Sequence, residues 1–351
     1  MNIKRKKTKV VSCGHIKIGG NFPISIQSMT NTDTRDVFAT IEQMKRLEEA
    51  GCEIARVAVL DLEAADAIKA LKAKTNMPIV ADIHFDYRLA LKCIENGVDK
   101  LRLNPGNIGE LDRVKKVVIA AKERNIPIRI GVNAGSIDKK MVTKYGRVTP
   151  EAMVESALEH VNILENLSFE DIVISLKSSD IKLTLESYRL ISERVDYPLH
   201  IGITEAGTIK SGTIKSSIGV GALLLDGIGD TLRISLTGDP VEEVKLGREI
   251  LKLVGLRDFG IKIISCPTCG RCQIDLISIA NKIEKKLEKI NKPLTVAIMG
   301  CAVNGPGEAK DADIGIAGGK SSALLFKKGK IIKRIEEDKI EQVLLDEIQK
   351  M

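Results

Sequence analysis

The sequence predicts an α/β fold: a (β/α)8 TIM-type barrel followed by a small α/β domain. Three observations carry this expectation. Between residues 24 and 258, eight short, β-branched apolar runs are each followed by an amphipathic helical stretch. That alternation marks a parallel sheet, and eight units are enough to close one. No glycine-rich dinucleotide fingerprint follows the first run, although the alternative, an open doubly wound sheet, usually shows one. After residue 258 the alternation stops, leaving a tail of a small domain's size. The expected domains are therefore 1–258 and 259–351.

The eight runs are ISIQSM near 24–29, IARVAV near 54–59, IVADIH near 79–84 and KLRLNP near 100–105, then IRIGVN near 128–133, IVISLK near 172–177, LHIGIT near 199–204 and TLRISL near 231–236. Several helices are clearly punctuated. Asp33 or Thr34 is the expected cap of a helix that buries Val37, Ile41, Met44 and Leu47 and stops at Gly51. Thr149-Pro150 starts another, with Val154, Leu158, Val161 and Leu164 at core spacing. Asp239-Pro240 starts the last helix of the barrel, which runs to Gly255. In the tail, strands are expected at 261–265, 295–300 and 313–318, with a lysine-rich helix from about 273 to 290, a hairpin in LLFKKGKIIKRI and a closing helix.

Composition narrows the function. The chain has 351 residues, 44% hydrophobic and 29% charged, as in a globular protein with a sizeable core. No apolar run reaches the roughly 18 residues of a membrane span, so no membrane is expected. The basic start, MNIKRKKTK, lacks the apolar stretch of a secretory signal. Seven cysteines, an odd number, with no such signal point to the cytoplasm. The net charge of +7 favours an anionic partner. Aromatics are only 3% with no tryptophan, too few for base-stacking platforms, so nucleic acid is not expected.

The strand ends carry the chemistry. In a closed barrel the active site lies at the C-terminal ends of the strands. Those ends hold Arg56, Asp82 and His84, Arg102 and Asn104, Arg129 and Asn133, and Lys177, followed by His200, Thr204 and Glu205, and lastly Arg233 and Ser235. Strands buried on both faces normally read as continuous aliphatics. A cation inside five of the eight is costly unless it faces an anion. Each arginine could instead pair with a neighbouring acid, but four arginines and a lysine on one rim suit a compact, multiply charged anion such as a diphosphate. Asp82, His84 and Glu205 are the candidate acid–base groups. The stretch EAGTIKSGTIKSS after the seventh strand adds backbone amides and hydroxyls where barrels often bind phosphate.

Two cysteine segments lie about thirty residues apart in the tail. One, CPTCGRC, holds Cys266, Cys269 and Cys272; the other, GCAVNGPGE, holds Cys301 and Glu308. C-x2-C-x2-C with a distant cysteine suits a [4Fe–4S] cluster. A structural zinc favours two C-x2-C knuckles, which the second segment does not supply. The fourth ligand is open at this stage. Cys272 would complete four thiolates, whereas Glu308 would give a harder, exchangeable ligand able to make room for a substrate oxygen.

Taken together, these segments closely resemble one family, the 4-hydroxy-3-methylbut-2-enyl diphosphate synthases of the non-mevalonate isoprenoid pathway, in their short bacterial two-domain form. The resemblance spans essentially the whole chain. Beyond the cysteine segments it includes QSMT at 27–30, VADIHF at 80–85, LRLNPGN at 101–107, IGVNAGS at 130–136, SLKSSD at 175–180, TEAG at 204–207 and RISLTGDP at 233–240. It implies reductive ring opening of 2-C-methyl-D-erythritol 2,4-cyclodiphosphate, with two electrons added and water lost. It implies that Cys266, Cys269, Cys301 and Glu308 hold the cluster. It implies that Arg56, Arg102, Asn104, Arg129, Asn133, Lys177, Arg233 and Ser235 hold the substrate. Glu205, assisted by Asp82 and His84, is the implied partner of the departing hydroxyl. It further implies a reduced ferredoxin or flavodoxin as electron donor, and a homodimer in which the cluster domain of one subunit covers the barrel of the other. The readings from another class are a redox sensor binding phosphate-rich ligands and a zinc-stapled barrel enzyme.

Overall fold

The computed structural model describes residues 3–288, 290–301 and 309–351. It divides into two compact units, Met1–Arg257 and Asp258–Met351.

The first unit opens with a feature the sequence did not announce, a hairpin of β1 (Val11–Cys13) and antiparallel β2 (Ile16–Ile18). Its Cys13 and Ile18 pack on Ile54 and Val80. Those two residues lie at the N-terminal ends of their strands, so the hairpin plugs the floor of the barrel. The barrel strands are β3 (Ser25–Met29), β4 (Ile54–Ala58), β5 (Ile79–Asp82), β6 (Lys100–Arg102), β7 (Ile128–Asn133), β8 (Ile172–Lys177), β9 (His200–Ile201) and β10 (Thr231–Leu232). They form one parallel eight-stranded sheet in the order β8-β7-β6-β5-β4-β3-β10-β9. A single parallel bridge, Ile174 to Leu199, joins its two ends.

That seam has a side-chain staple. The fully buried Tyr188 hydroxyl accepts from the Leu176 N–H at 3.1 Å and donates to the His200 carbonyl at 2.6 Å. Several strands are shorter than their apolar runs suggest, β6, β9 and β10 most of all. The seventh, β9, stops at Ile201, just before Gly202, where a Cβ would lie 2.4 Å from the Arg233 carbonyl oxygen and 2.8 Å from Lys177 Nζ. The fourth, β6, stops at Arg102 because Asn104-Pro105 begins a helical turn.

The surrounding helices are α1 (Val37–Glu49), α2 (Leu62–Lys72), α3 (Tyr87–Glu95), α4 (Pro105–Ile108), α5 (Leu111–Glu123), α6 (Lys139–Tyr145), α7 (Pro150–Glu165), α8 (Ile181–Arg194), α9 (Ile209–Leu225) and α10 (Pro240–Leu253). Thr149 and Asp239 cap α7 and α10 as expected, accepting from Ala152 and Val241 amides. The cap of α1 is neither Asp33 nor Thr34 but Asp36, which accepts from the Ala39 amide at 2.9 Å. Asp33 is committed to the Arg35 guanidinium, and the Thr34 hydroxyl to the Ala58 carbonyl. Arg257, at the end of this unit, donates to the Ile24 carbonyl and to Glu53, both at the floor. The chain therefore leaves the barrel at the face opposite the strand C-termini.

The second unit is a five-stranded sheet in the order β11-β12-β13-β14-β15. Its strands are β11 (Lys262–Ser265), β12 (Thr295–Met299), β13 (Ile314–Gly319), β14 (Ser322–Lys327) and β15 (Lys330–Glu336). The first three are parallel and the last two form the expected hairpin. Helix α11 (Leu276–Leu287), capped by Asp275, is shorter than the lysine-rich stretch. It packs with the closing helix α12 (Ile340–Gln349) over Val296, Ile298, Ile314 and Ile316. Among the described residues no helix is long and apolar enough to cross a membrane.

Tyr188→Phe would leave the buried Leu176 N–H without its acceptor at the weakest point of the ring. A loss of about 1–3 kcal/mol is expected, measured as a lower urea midpoint at unchanged slope.

Candidate active site

Side chains one strand position in two point into the barrel. That rule places Arg56, Asp82, Arg102, Arg129, Lys177 and Arg233 inside, toward the C-terminal mouth. Asp82 is the hub. Its carboxylate lies 3.7 Å from Arg56 Nη2, 3.3 Å from Arg102 Nη1 and 3.3 Å from His84 Nε2. Arg102 also reaches His84 Nε2 at 3.2 Å and donates to the Gly131 carbonyl at 3.2 Å. Asn104 is buried and accepts from the Gly131 amide at 2.8 Å. Burial alone would raise the Asp82 pKa, but Arg56, the His84 hydrogen bond and Arg102 outweigh it, so the carboxyl stays well below its ordinary range. It is an anion at every physiological pH.

Arg233 uses a second carboxylate. Its Nε and Nη2 each lie 3.4 Å from Glu243, which also accepts from the Ser28 hydroxyl and the Leu236 amide. The Met29 thioether fills the space between Arg56 Nε, at 3.0 Å, and Arg233 Nη1, at 3.7 Å. Arg129 and Lys177 are different: among the described residues neither has an ion-pair partner, and they are 1% and 8% exposed. Five cations thus share two carboxylates, and pairing with neighbouring acids does not account for the rim. Burial, then the repulsion of the other cations, pushes Arg129 and Lys177 well below their ordinary values and Arg56 to about 10. Arginine does not give up its proton in a protein. Both causes, burial and crowding with other cations, would be relieved by an anion in the cup.

The remaining candidates are placed more loosely. Asn133 and Ser235 are half-buried at the ends of their strand runs, and Asn133 precedes the short turn Ala134–Ser136. Glu205 is exposed and holds a left-handed backbone, φ 51°, which is uncommon for a residue with a side chain. Sequence reading missed Glu243 and Met29. In the first turn of α10, Glu243 looks like an ordinary helix-dipole charge, and only the turn of the chain after β10 brings it under Arg233.

In the second unit, β11 and β12 are adjacent parallel strands paired Ser265 to Ile298. Cys266 follows the first and Cys301 the second, so both cysteine segments leave the sheet at one end. The Gly300 amide donates to Cys266 Sγ at 3.1 Å. Cys269 is exposed, and its pKa is lowered by hydrogen bonds from the Arg271 backbone and side chain. Thiolates held by N–H donors are what an iron–sulfur cluster requires. Cys272 turns elsewhere: its thiol donates to the Ile274 carbonyl at 3.3 Å and packs where a Cβ on Gly300 would lie, 2.7 Å away. Among the described residues no three His, Cys, Asp or Glu side chains converge on a point as a single ion requires. A four-iron cube does not demand that, since each ligand takes its own iron. The residues fit the cluster. Glu308, the remaining candidate ligand, lies outside the described residues.

The GcpE TIM-barrel domain matches residues 8–248, and the GcpE protein C-terminal domain matches 262–350. This chain belongs to the GcpE family. A curated GcpE relative from Ruminiclostridium cellulolyticum, "4-hydroxy-3-methylbut-2-en-1-yl diphosphate synthase (flavodoxin)", is 63% identical over 349 residues, covering 99% of each chain. A protein of the same name from Caldanaerobacter subterraneus is 63% identical over 347 residues, 99% of this chain and 98% of its own. Among solved structures, the Yersinia pestis dihydropteroate synthase matches 70% of this chain and 97% of its own, with a TM-score of 0.51 at 10% identity. An N-acetylneuraminic acid synthetase from Leptospira borgpetersenii matches 80% and 96%, with a TM-score of 0.50 at 13% identity. At such low identity these two share the fold alone.

Cys272→Ser is expected to keep the brown colour and the broad absorbance near roughly 400 nm of an anaerobically purified iron–sulfur protein. Cys301→Ser is expected to lose both, read as iron and sulfide per chain.

Proposed function

We propose that this GcpE-family chain catalyses the reductive ring opening of 2-C-methyl-D-erythritol 2,4-cyclodiphosphate to 4-hydroxy-3-methylbut-2-en-1-yl diphosphate. Two electrons and one proton enter, the C2–O bond to phosphate breaks, and the C3 hydroxyl leaves as water. The observation that carries this reading is the cup of five cations, Arg102, Arg129 and Lys177 buried and Arg56 and Arg233 half-buried, with two carboxylates, joined to a cysteine-bearing second unit. The relatives' shared name covers the full length of the chain. The sensor and zinc readings have no comparable support.

Arg56, Arg102, Arg129, Lys177 and Arg233 would grip the diphosphate, and Ser235, Asn104 and Asn133 would orient it. Arginine forks hold such groups in two places at once. Asp82 keeps Arg56, Arg102 and His84 in register, and Glu243 does the same for Arg233. Glu205, displayed on a strained turn, would hydrogen-bond the departing C3 hydroxyl and deliver its proton. Cys266, Cys269, Cys301 and Glu308 would hold a [4Fe–4S] cluster, which would supply the electrons one at a time. A flavodoxin is the donor named for the relatives, and a reduced flavodoxin or ferredoxin is the partner we assign here.

A homodimer completes the site in this reading. The chain exits the barrel at the floor, beside Ile24 and Glu53, which favours the cluster unit of a second copy as the cover for the mouth. The strand-C-terminal face exposes Phe38, Leu60, Phe85 and Leu111, each more than three-fifths exposed, an apolar crescent suited to being covered. A cytoplasmic setting accords with seven free cysteines.

Arg233→Ala is expected to retain cluster absorbance but lose about 30- to 1,000-fold in kcat/KM for the cyclic diphosphate, with reduced flavodoxin as donor. Unchanged turnover would remove the diphosphate cup from the reading. Mixing Arg233→Ala with Cys301→Ser protein tests the shared site: if each supplies the half the other lacks, activity returns on exchange of subunits.

A further inference from the structure

Barrel interiors are ordinarily filled by branched aliphatic side chains. Below the mouth of this one, beside the aliphatic Ile54 and Val80, much of the filling is polar. Lys100 shares the inward face of β6 with Arg102. Ser25 and Gln27 share that of β3 with Met29, Thr231 that of β10 with Arg233, and His200 that of its strand with Gly202, against which Lys177 lies. Thr231 is in register with both Ser25 and His200, so these three form a band on one wall. Lys100 and Arg129 stand on adjacent strands, with Arg129 level with Arg102.

All six residues are 0–1% exposed. Among the described residues, Lys100 Nζ, Arg129 Nε and Nη1, both His200 nitrogens, both Gln27 amide atoms and the Ser25 and Thr231 hydroxyls have no hydrogen-bond partner. Nor is an acid free to serve them. Asp82 is taken by Arg56, Arg102 and His84, and Glu243 by Arg233. Asp99 is taken by Lys72 and the Ile79 amide, and Asp230 by Arg5, Thr8 and the Leu199 amide. A buried charge with no partner is among the costliest things a fold can carry, and a guanidinium cannot shed its proton. Every one of the six side chains can donate a hydrogen bond, and the only formal charges among them are positive.

We propose that this cluster of unpartnered donors is a built site for a small inorganic anion of halide size, held between Lys100 and Arg129 on one side and Ser25, Gln27, His200 and Thr231 on the other. It lies deeper than the Asp82 hub and adjoins the diphosphate cup, sharing Arg129 with it. Arg129 serves both levels, since a guanidinium carries five N–H donors. Burial, opposed by Cys13 and Asp99 and reinforced by Arg129, lowers the Lys100 pKa to about 8, so the lysine still carries charge near neutrality for the anion to match.

The test uses cluster-loaded protein crystallised from sodium bromide, with data on both sides of the bromine absorption edge. The expected result is an anomalous peak inside the barrel beside Lys100 Nζ that vanishes below the edge, which iron signal does not do. In solution, replacing gluconate by chloride at constant ionic strength is expected to raise Tm by about 2–4 °C. Lys100→Met is expected to lose that response. Ordered water without a bromine signal overturns the proposal, and so does an equal chloride response in both proteins. Should the variant not fold, the bromide crystals decide alone.

Discussion

The barrel is organised around an excess of positive charge at its mouth that the described residues do not themselves neutralise. Two carboxylates, Asp82 and Glu243, serve Arg56, Arg102 and Arg233, while Arg129 and Lys177 are left facing inward without acids. Much of the neighbouring structure follows from holding those cations in place. Gly202 yields room to Lys177, the Met29 thioether spaces two guanidinium groups without adding charge, and the Gly131 carbonyl anchors Arg102. Such an arrangement is poor for the stability of the empty protein and good for binding a polyanion. The binding energy is stored in the fold before the ligand arrives, as electrostatic preorganisation requires.

Much of this was legible from residues alone because the costly groups stand out. An arginine in a strand such as KLR or TLRISL violates the aliphatic pattern of a doubly buried sheet, and five violations at one end define a site. Helix starts with proline were equally plain, as at Pro150 and Pro240. What stayed hidden depended on distance in space. The cap of α1 shifted to Asp36 because Arg35 and the Ala58 carbonyl claimed the two nearer candidates. The floor hairpin is only three residues a strand, too short for periodicity to register. Glu243 carries no local sign that it will meet Arg233, although only ten residues separate the two. Lys100, two positions before Arg102, was readable by period alone.

Fold and function separate cleanly here. The barrel is shared with dihydropteroate synthase at 10% identity, so the scaffold by itself says little about chemistry. The distinguishing content lies in the rim and in the second unit. There, two parallel strands deliver two cysteine segments to one edge of a sheet, and Gly300 is pinned between two of the sulfurs. Its amide donates to one, while the other occupies the place of its missing Cβ. That position tolerates no side chain without moving Cys272.

Glu205 keeps a backbone conformation that glycine and asparagine adopt with less strain. Mutational drift at this codon therefore has a downhill direction, away from the acid. Glutamate persists there only while its carboxylate returns an advantage to the organism. In a lineage that inherited the scaffold but abandoned the reaction, this is the position where decay would surface first, ahead of Arg56, Arg102 and Arg233, whose loss would leave Asp82 or Glu243 stranded.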